Sequence, residues 1–72
     1  MTVQSDLKKA IASAESMKGS YSTFAESTDD NSAKQLFQEL SEEMQRHVDS
    51  LNSRLGYLEK NNPMYQQNQG NQ

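Results

Sequence analysis

The side chains in this sequence that could take part in chemistry centre on one histidine. His47 is the single imidazole among the 72 residues. Glu43 lies about one helical turn before it, and Glu15 could be supplied by an earlier part of the chain. Glutamate and histidine side chains that face the interior of a helical bundle are the ligands of carboxylate-bridged di-iron sites. Glu15, Glu43 and His47 are therefore the candidate metal ligands.

The spacing around His47 argues against this metal site. Di-iron bundles use a Glu-x-x-His motif, whereas the residue three positions before His47 is Met44. A thioether does not bridge hard iron ions, and Glu43 lies about 100° around a helix from Met44. We therefore predict no bound metal or cofactor, and we interpret His47 as a half-exposed residue at the edge of a helix contact.

Nucleophilic catalysis lacks its usual partners as well. The chain has no cysteine. It has many serines but only one histidine that could activate a serine hydroxyl. Ser20 and Ser22 flank Tyr21 without implying a catalytic triad. A chain of 72 residues forms one domain at most, so we predict that the protein is not an enzyme.

The composition bounds the remaining function classes. Only 32% of the residues are apolar, and a chain of this length is marginal as an independent globule. Without disulfides, small domains are usually stabilised by a metal or by oligomerisation.

The net charge of −3 provides no electrostatic footprint for nucleic acid. No apolar run approaches the roughly 18 residues of a membrane span, and the N-terminal residues lack a secretion signal, which predicts an intracellular location.

Two helical patterns must position these residues. In the first pattern, apolar or weakly polar residues alternate steps of four and three, as they do on one face of a helix. They are Val3, Leu7, Ala10, Ala14, Met17, Tyr21, Phe24 and Thr28, and Ile11 lies beside them on the same face. The pattern predicts a helix over about residues 3–28, and Thr2 can cap its start.

The second pattern follows a short polar break at residues 29–32. Its apolar residues recur at a mean spacing close to that of one helix face. They are Ala33, Leu36, Phe37, Leu40, Met44, Val48, Leu51, Leu55 and Leu58. We predict a helix over about residues 31–60, with Asp30 slightly favoured over Ser32 as its N-cap. A connection this short predicts that the two helices are antiparallel neighbours.

The predicted fold is all-α, an antiparallel helical hairpin over residues 1–60. One helix contact leaves the outer edges of each apolar stripe exposed to water, so we expect two hairpins to pair into a four-helix bundle. The assembly would be a homodimer or a higher homo-oligomer. Its predicted interface residues are Leu7, Ile11, Phe24, Phe37, Leu40, Met44, Leu51 and Leu55. Residues 61–72, rich in Asn and Gln, are predicted to be disordered.

The second helix resembles the last ligand-bearing helix of ferritin-like and rubrerythrin-like proteins. In that helix an aromatic residue is followed by an aliphatic residue three positions later, a glutamate seven later and a histidine ten later. The corresponding residues here are Phe37, Leu40, Met44 and His47. The resemblance implies a helical bundle, while the methionine at the glutamate position removes a metal ligand.

The whole chain resembles a small bacterial family known as domain of unknown function 1657. The matching elements, in order, are Met1-Thr2-Val3, Ala33-Lys34-Gln35, Leu58-Glu59 and Pro63-Met64-Tyr65. That family is associated with endospore-forming bacteria, often beside genes for spore-membrane channel proteins. The resemblance implies a structural or interaction module linked to sporulation or the spore, and it implies no catalytic or binding residues. Two alternatives stay open: an adaptor that packs on a spore membrane protein, and a ferritin-like metal or redox protein.

Overall fold

The computed structural model describes residues 2–61 as two α-helices joined by a short turn. Helix α1 spans Val3–Ser27 and helix α2 spans Asn31–Asn61. They pack side by side as an antiparallel hairpin that measures 50 × 18 × 17 Å. The predicted all-α hairpin is confirmed. Of the predicted disordered tail, Asn61 is the last residue of α2, and residues 62–72 lie outside the described part of the chain.

Side chains at both helix starts satisfy backbone amides that have no partner within the helix. Thr2 Oγ1 accepts a hydrogen bond from the amide of Ser5 at 3.0 Å. Asp30 Oδ2 accepts one from the amide of Ala33 at 2.8 Å. Each such contact stabilises a helix by about 1 kcal/mol. Both predicted caps are confirmed, and the Asp30 carboxylate also lies near the positive end of the α2 dipole.

Small side chains line the contact between the two helices, which we call the seam. Its buried residues are Gln4, Ala14 and Ala25 of α1 and Ser41 and Val48 of α2. Val48 is the largest apolar residue among them, and it is 4% exposed. The separation of two packed helices depends on the side chains between them, so small residues allow a close approach. Within residues 2–61 no side chain is fully buried, and the hairpin therefore has a narrow seam and no enclosed core.

The stripe predicted on α1 has an inner part and an outer edge. Leu7 and Ala14 lie against α2. Val3, Met17 and Phe24 are 55%, 43% and 47% exposed, as expected for the edge that a single helix contact leaves open to water. The residue that follows each of these three faces α2 instead. Those residues are Gln4, Lys18 and Ala25. A hydropathy pattern places glutamine and lysine outside a helix contact, whereas here both side chains have polar partners on α2.

Replacing Asp30 by alanine should lower the free energy of unfolding by about 1 kcal/mol, because the amide of Ala33 loses its acceptor. For a domain of this size the loss corresponds to a Tm about 4–8 °C lower, which far-UV circular dichroism would detect. Asp29→Ala is the matched control, since it removes the same charge one position earlier. Equal losses in the two variants would contradict the assignment of Asp30 as the cap.

Gly19 lies on the exposed side of α1, where an added methyl group would meet no atom within 4 Å. Glycine inside a helix costs about 1 kcal/mol relative to alanine. Gly19→Ala should therefore raise the free energy of unfolding by about that amount, measured by thermal unfolding at a fixed chain concentration. A decrease would show that another helix approaches the α1 backbone closely at Gly19.

Candidate functional site

The hairpin has two unlike flanks, one on each side of the seam. Residues seven apart form a row along a helix that packs on another helix, and the apolar flank consists of two such rows. The polar flank contains Gln4, Lys18 and Ser22 of α1 and Ser41, Gln45 and Glu59 of α2. The apolar flank contains Val3, Ala10, Met17 and Phe24 of α1 and Phe37, Met44, Leu51 and Leu58 of α2.

Hydrogen bonds join the two helices along the polar flank. Gln4 Nε2 donates to Glu59 Oε2 at 3.2 Å near the open end of the hairpin. The Lys18 ammonium donates to Gln45 Oε1 nearer the middle. A buried polar group without a partner is costly. These pairings therefore explain how Gln4 and Lys18 can lie at the seam.

Two serine hydroxyls continue the polar flank toward the turn. Ser22 Oγ and Ser41 Oγ lie 2.8 Å apart, and Ser41 Oγ donates to the backbone carbonyl of Lys18 at 3.3 Å. Because the Ser41 proton is used in that bond, Ser22 donates to Ser41. The buried Ser41 thus contacts α1 twice while occupying little space, and it helps to set the relative height of the two helices.

Lys34 of α2 contacts the C-terminal end of α1. Its Nζ donates to the backbone carbonyl of Ala25 at 2.7 Å. The last turn of α1 contains no basic residue of its own, and the carbonyls at a helix C-terminus carry partial negative charge. Lys34 therefore supplies, from the second helix, the positive charge that stabilises the end of the first.

A shallow groove of about 540 Å³ lies beside Lys34 on the polar side of the hairpin. The charged residues of its lining have both signs, with Glu26 and Glu42 next to Lys34. The ammonium of Lys34 already donates to the Ala25 carbonyl. The groove therefore has no set of donors or acceptors that converge on one kind of ligand, and we assign it no function.

Aromatic rings hold the apolar flank together near the turn. The ring centroid of Phe37 lies 5.4 Å from that of Phe24, and 6.3 Å from that of Tyr21. Pairs of this geometry contribute about 0.5–1.5 kcal/mol beyond the burial of their area. Tyr21 and Phe24 of α1 therefore pack on Phe37 of α2 close to the turn. The outer side of Phe24 nevertheless remains open to solvent.

Beyond these rings the two rows of the apolar flank differ in exposure. Val3 and Met17 of the α1 row are exposed together with Phe24, whereas every member of the α2 row is half-buried. Leu36, which is also exposed, borders the flank on α2. Neither described helix contains an apolar stretch long enough to cross a membrane.

The predicted interface residues divide between the apolar flank and the seam. Those of the flank are Phe24, Phe37, Met44 and Leu51, with Leu40 bordering it on α2. Those of the seam are Leu7, Ile11 and Leu55, all half-buried. The polar flank was not predicted, because hydropathy places Gln4 and Lys18 outside a helix contact.

The candidate metal ligands do not converge. Glu15, Glu43 and His47 are all exposed. Glu15 lies seven residues before Ser22, on the polar side of α1, whereas His47 lies seven residues after Leu40, beside the apolar flank of α2. Between residues 2 and 61 no three Asp, Glu or His side chains form a group that could hold a metal ion.

Removing the charge of Lys34 should destabilise the hairpin through the end of α1. We expect Lys34→Met to lower the free energy of unfolding by about 1 kcal/mol, because a carbonyl loses a charged donor and the α1 dipole loses its cation. Lys9→Met removes the same charge from an exposed site near the start of α1 and should not lower stability. Thermal unfolding at equal chain concentration measures both. A Tm for Lys34→Met equal to that of Lys9→Met would show that the contact contributes nothing.

Comparison with known proteins yields a family but no characterised relative. A family model described as protein of unknown function (DUF1657) matches residues 7–55. No curated protein matches, and no solved structure matches. The matched range covers more than half of the chain and includes most of the seam and of both flanks.

Proposed function

We propose that this chain, which belongs to the family of unknown function DUF1657, is a non-enzymatic interaction module that acts through its apolar flank. The observation that carries the proposal is the exposure of Val3, Met17 and Phe24 in one row of α1. Removing apolar surface from water is favourable by roughly 25 cal/mol per Å². Binding of a partner that covers this row is therefore favourable, because it removes from water apolar surface that the single hairpin leaves exposed.

The contrast between the two flanks supports the same proposal. The polar side chains Gln4 and Lys18 are already paired across the seam with Glu59 and Gln45, so they have little to gain from a partner. The α1 row of the apolar flank packs on aromatic rings near the turn, and the rest of that row is open to solvent. One flank thus joins the two helices, and the other is left for binding. This asymmetry favours a single binding face.

A link to sporulation or the spore is part of the proposal. It is supported by the resemblance to a family associated with endospore-forming bacteria. An adaptor that packs its apolar flank on a spore membrane protein is the alternative that uses the same surface. A ferritin-like metal or redox protein is the second alternative, and the exposed, separated positions of Glu15, Glu43 and His47 do not favour it.

A charge placed on the apolar flank tests the proposal in cells. Met17 is already half-exposed, so Met17→Glu should leave the hairpin helical. It should weaken any association that covers the flank, because burying an unpaired carboxylate is costly. In extracts of sporulating cells, the tagged variant should sediment at a lower mass than the tagged wild type. Ser16→Glu adds the same charge one position away, on the exposed back of α1, and should sediment like the wild type.

Three results would contradict parts of this proposal. Identical sedimentation of Met17→Glu, Ser16→Glu and the wild type would remove the role of the apolar flank. Accumulation of the chain in vegetative cells, but not in sporulating cells or spores, would remove the spore link. A stoichiometric metal in the native protein would favour the ferritin-like alternative.

A further inference from the structure

We infer that a second copy of this chain covers the apolar flank, so that two hairpins pair face to face as a four-helix bundle. The inference rests on the proposed function and names the partner of that surface. Three features of the flank support a second copy: its extent, the equal level of its two rows and its lack of charge.

The side of the hairpin that carries the apolar flank has the scale of a protein interface. The hairpin measures 50 × 18 × 17 Å, so one whole side has a footprint of at most about 900 Å², against the roughly 800 Å² per partner of a standard protein interface. The flank runs from Val3 and Leu58 at the open end to Phe24 and Phe37 at the turn. A second hairpin has the same length, and it would cover the whole flank.

The two rows of the apolar flank lie at the same level along the hairpin. Each row has four members that are seven residues apart. Lys18 contacts Gln45, and Gln4 contacts Glu59. These contacts place the middle of the α1 row, residues 10–17, beside the middle of the α2 row, residues 44–51. A two-fold axis that lies between two facing hairpins can therefore relate both rows at once.

Such an axis brings apolar residues onto apolar residues in either orientation of the second copy. With the two turns at opposite ends, Phe24 meets Val3 of the second copy. With the two turns at the same end, Phe24 meets Phe37 of the second copy and Met17 meets its Met44. A two-fold dimer needs a surface that is complementary to itself. The regular spacing and shared level of the rows provide that surface.

Charge does not oppose this pairing. None of the eight residues of the apolar flank is charged, so two chains with a net charge of −3 each bring no like charges together there.

Pairing also provides the core that one hairpin lacks. Phe37, Met44 and Leu51 are half-buried in the single hairpin, and a facing hairpin encloses them from the open side.

Sedimentation equilibrium of the full chain tests the inference directly. The wild type should have twice the mass of one chain at micromolar concentrations. Met17→Glu should weaken the dimer by at least about 100-fold, because the two-fold axis buries the introduced charge twice. Ser16→Glu should change the dissociation constant by less than about 3-fold, since the back of α1 faces solvent in the dimer as well. Circular dichroism of each sample reports whether the helices remain.

Crosslinking provides a second readout that does not introduce a charge. The chain has no cysteine, so a single introduced thiol is unique. Met17→Cys lies on the apolar flank and should give covalent dimers with a flexible bifunctional maleimide. Gln38→Cys lies at the groove on the polar side and should remain monomeric on a denaturing gel. This pair decides the inference even if Met17→Glu loses its helicity.

A wild type that sediments as a helical monomer at about 100 µM, far above the micromolar range of weak specific complexes, would overturn the second copy as the partner. The flank could still bind another protein, and the extracts of sporulating cells would decide that question separately. Dimers that crosslink through Gln38→Cys but not through Met17→Cys would also overturn the inference, because the contact would lie on the other flank.

Discussion

Helix α1 packs closely on α2 along a seam of small side chains, and the other features of the hairpin depend on this contact. Ala14, Ala25, Ser41 and Val48 are buried there, and larger apolar residues of the seam such as Leu7 and Leu55 are only half-buried. Other bulky apolar side chains lie beside the seam on one flank. The same geometry that joins the two helices therefore creates an exposed apolar surface, of which Phe24 is the most prominent aromatic member.

The opposite flank shows how polar residues can belong to a helix contact. Gln4 and Lys18 have partners on α2, and Ser41 bonds to α1 through its hydroxyl. These bonds are directional, so they favour one relative height of the helices over others, whereas apolar packing alone tolerates sliding. Lys34 adds a contact between the start of α2 and the end of α1. The hairpin therefore has two different flanks. Directional bonds join the helices on the polar flank, and the apolar flank has an open surface.

The candidate metal ligands contribute least to the packing of the two helices. His47, Glu43 and Glu15 are exposed and lie on different sides of the hairpin. The resemblance of α2 to a ferritin-like helix reflects the periodicity of a helix that packs on others, and none of the comparisons supports a ferritin-like protein. The family to which the chain belongs has no assigned activity, so the function is inferred from the exposed surface of the hairpin. The exposed apolar side chains favour association through the apolar flank.

The two helices follow from the sequence alone, because helical periodicity and the caps at Thr2 and Asp30 are local properties. The short turn then brings Phe37 against Tyr21 and Phe24 of α1. Packing, and not local sequence, selects which of two adjacent rows of α1 faces α2. The two rows differ by one residue, as with Met17 and Lys18, and hydropathy does not distinguish the inner edge of an apolar stripe from its outer edge. The choice depends on polar partners and small side chains of α2 that lie far away in the sequence, so no local pattern on α1 contains it.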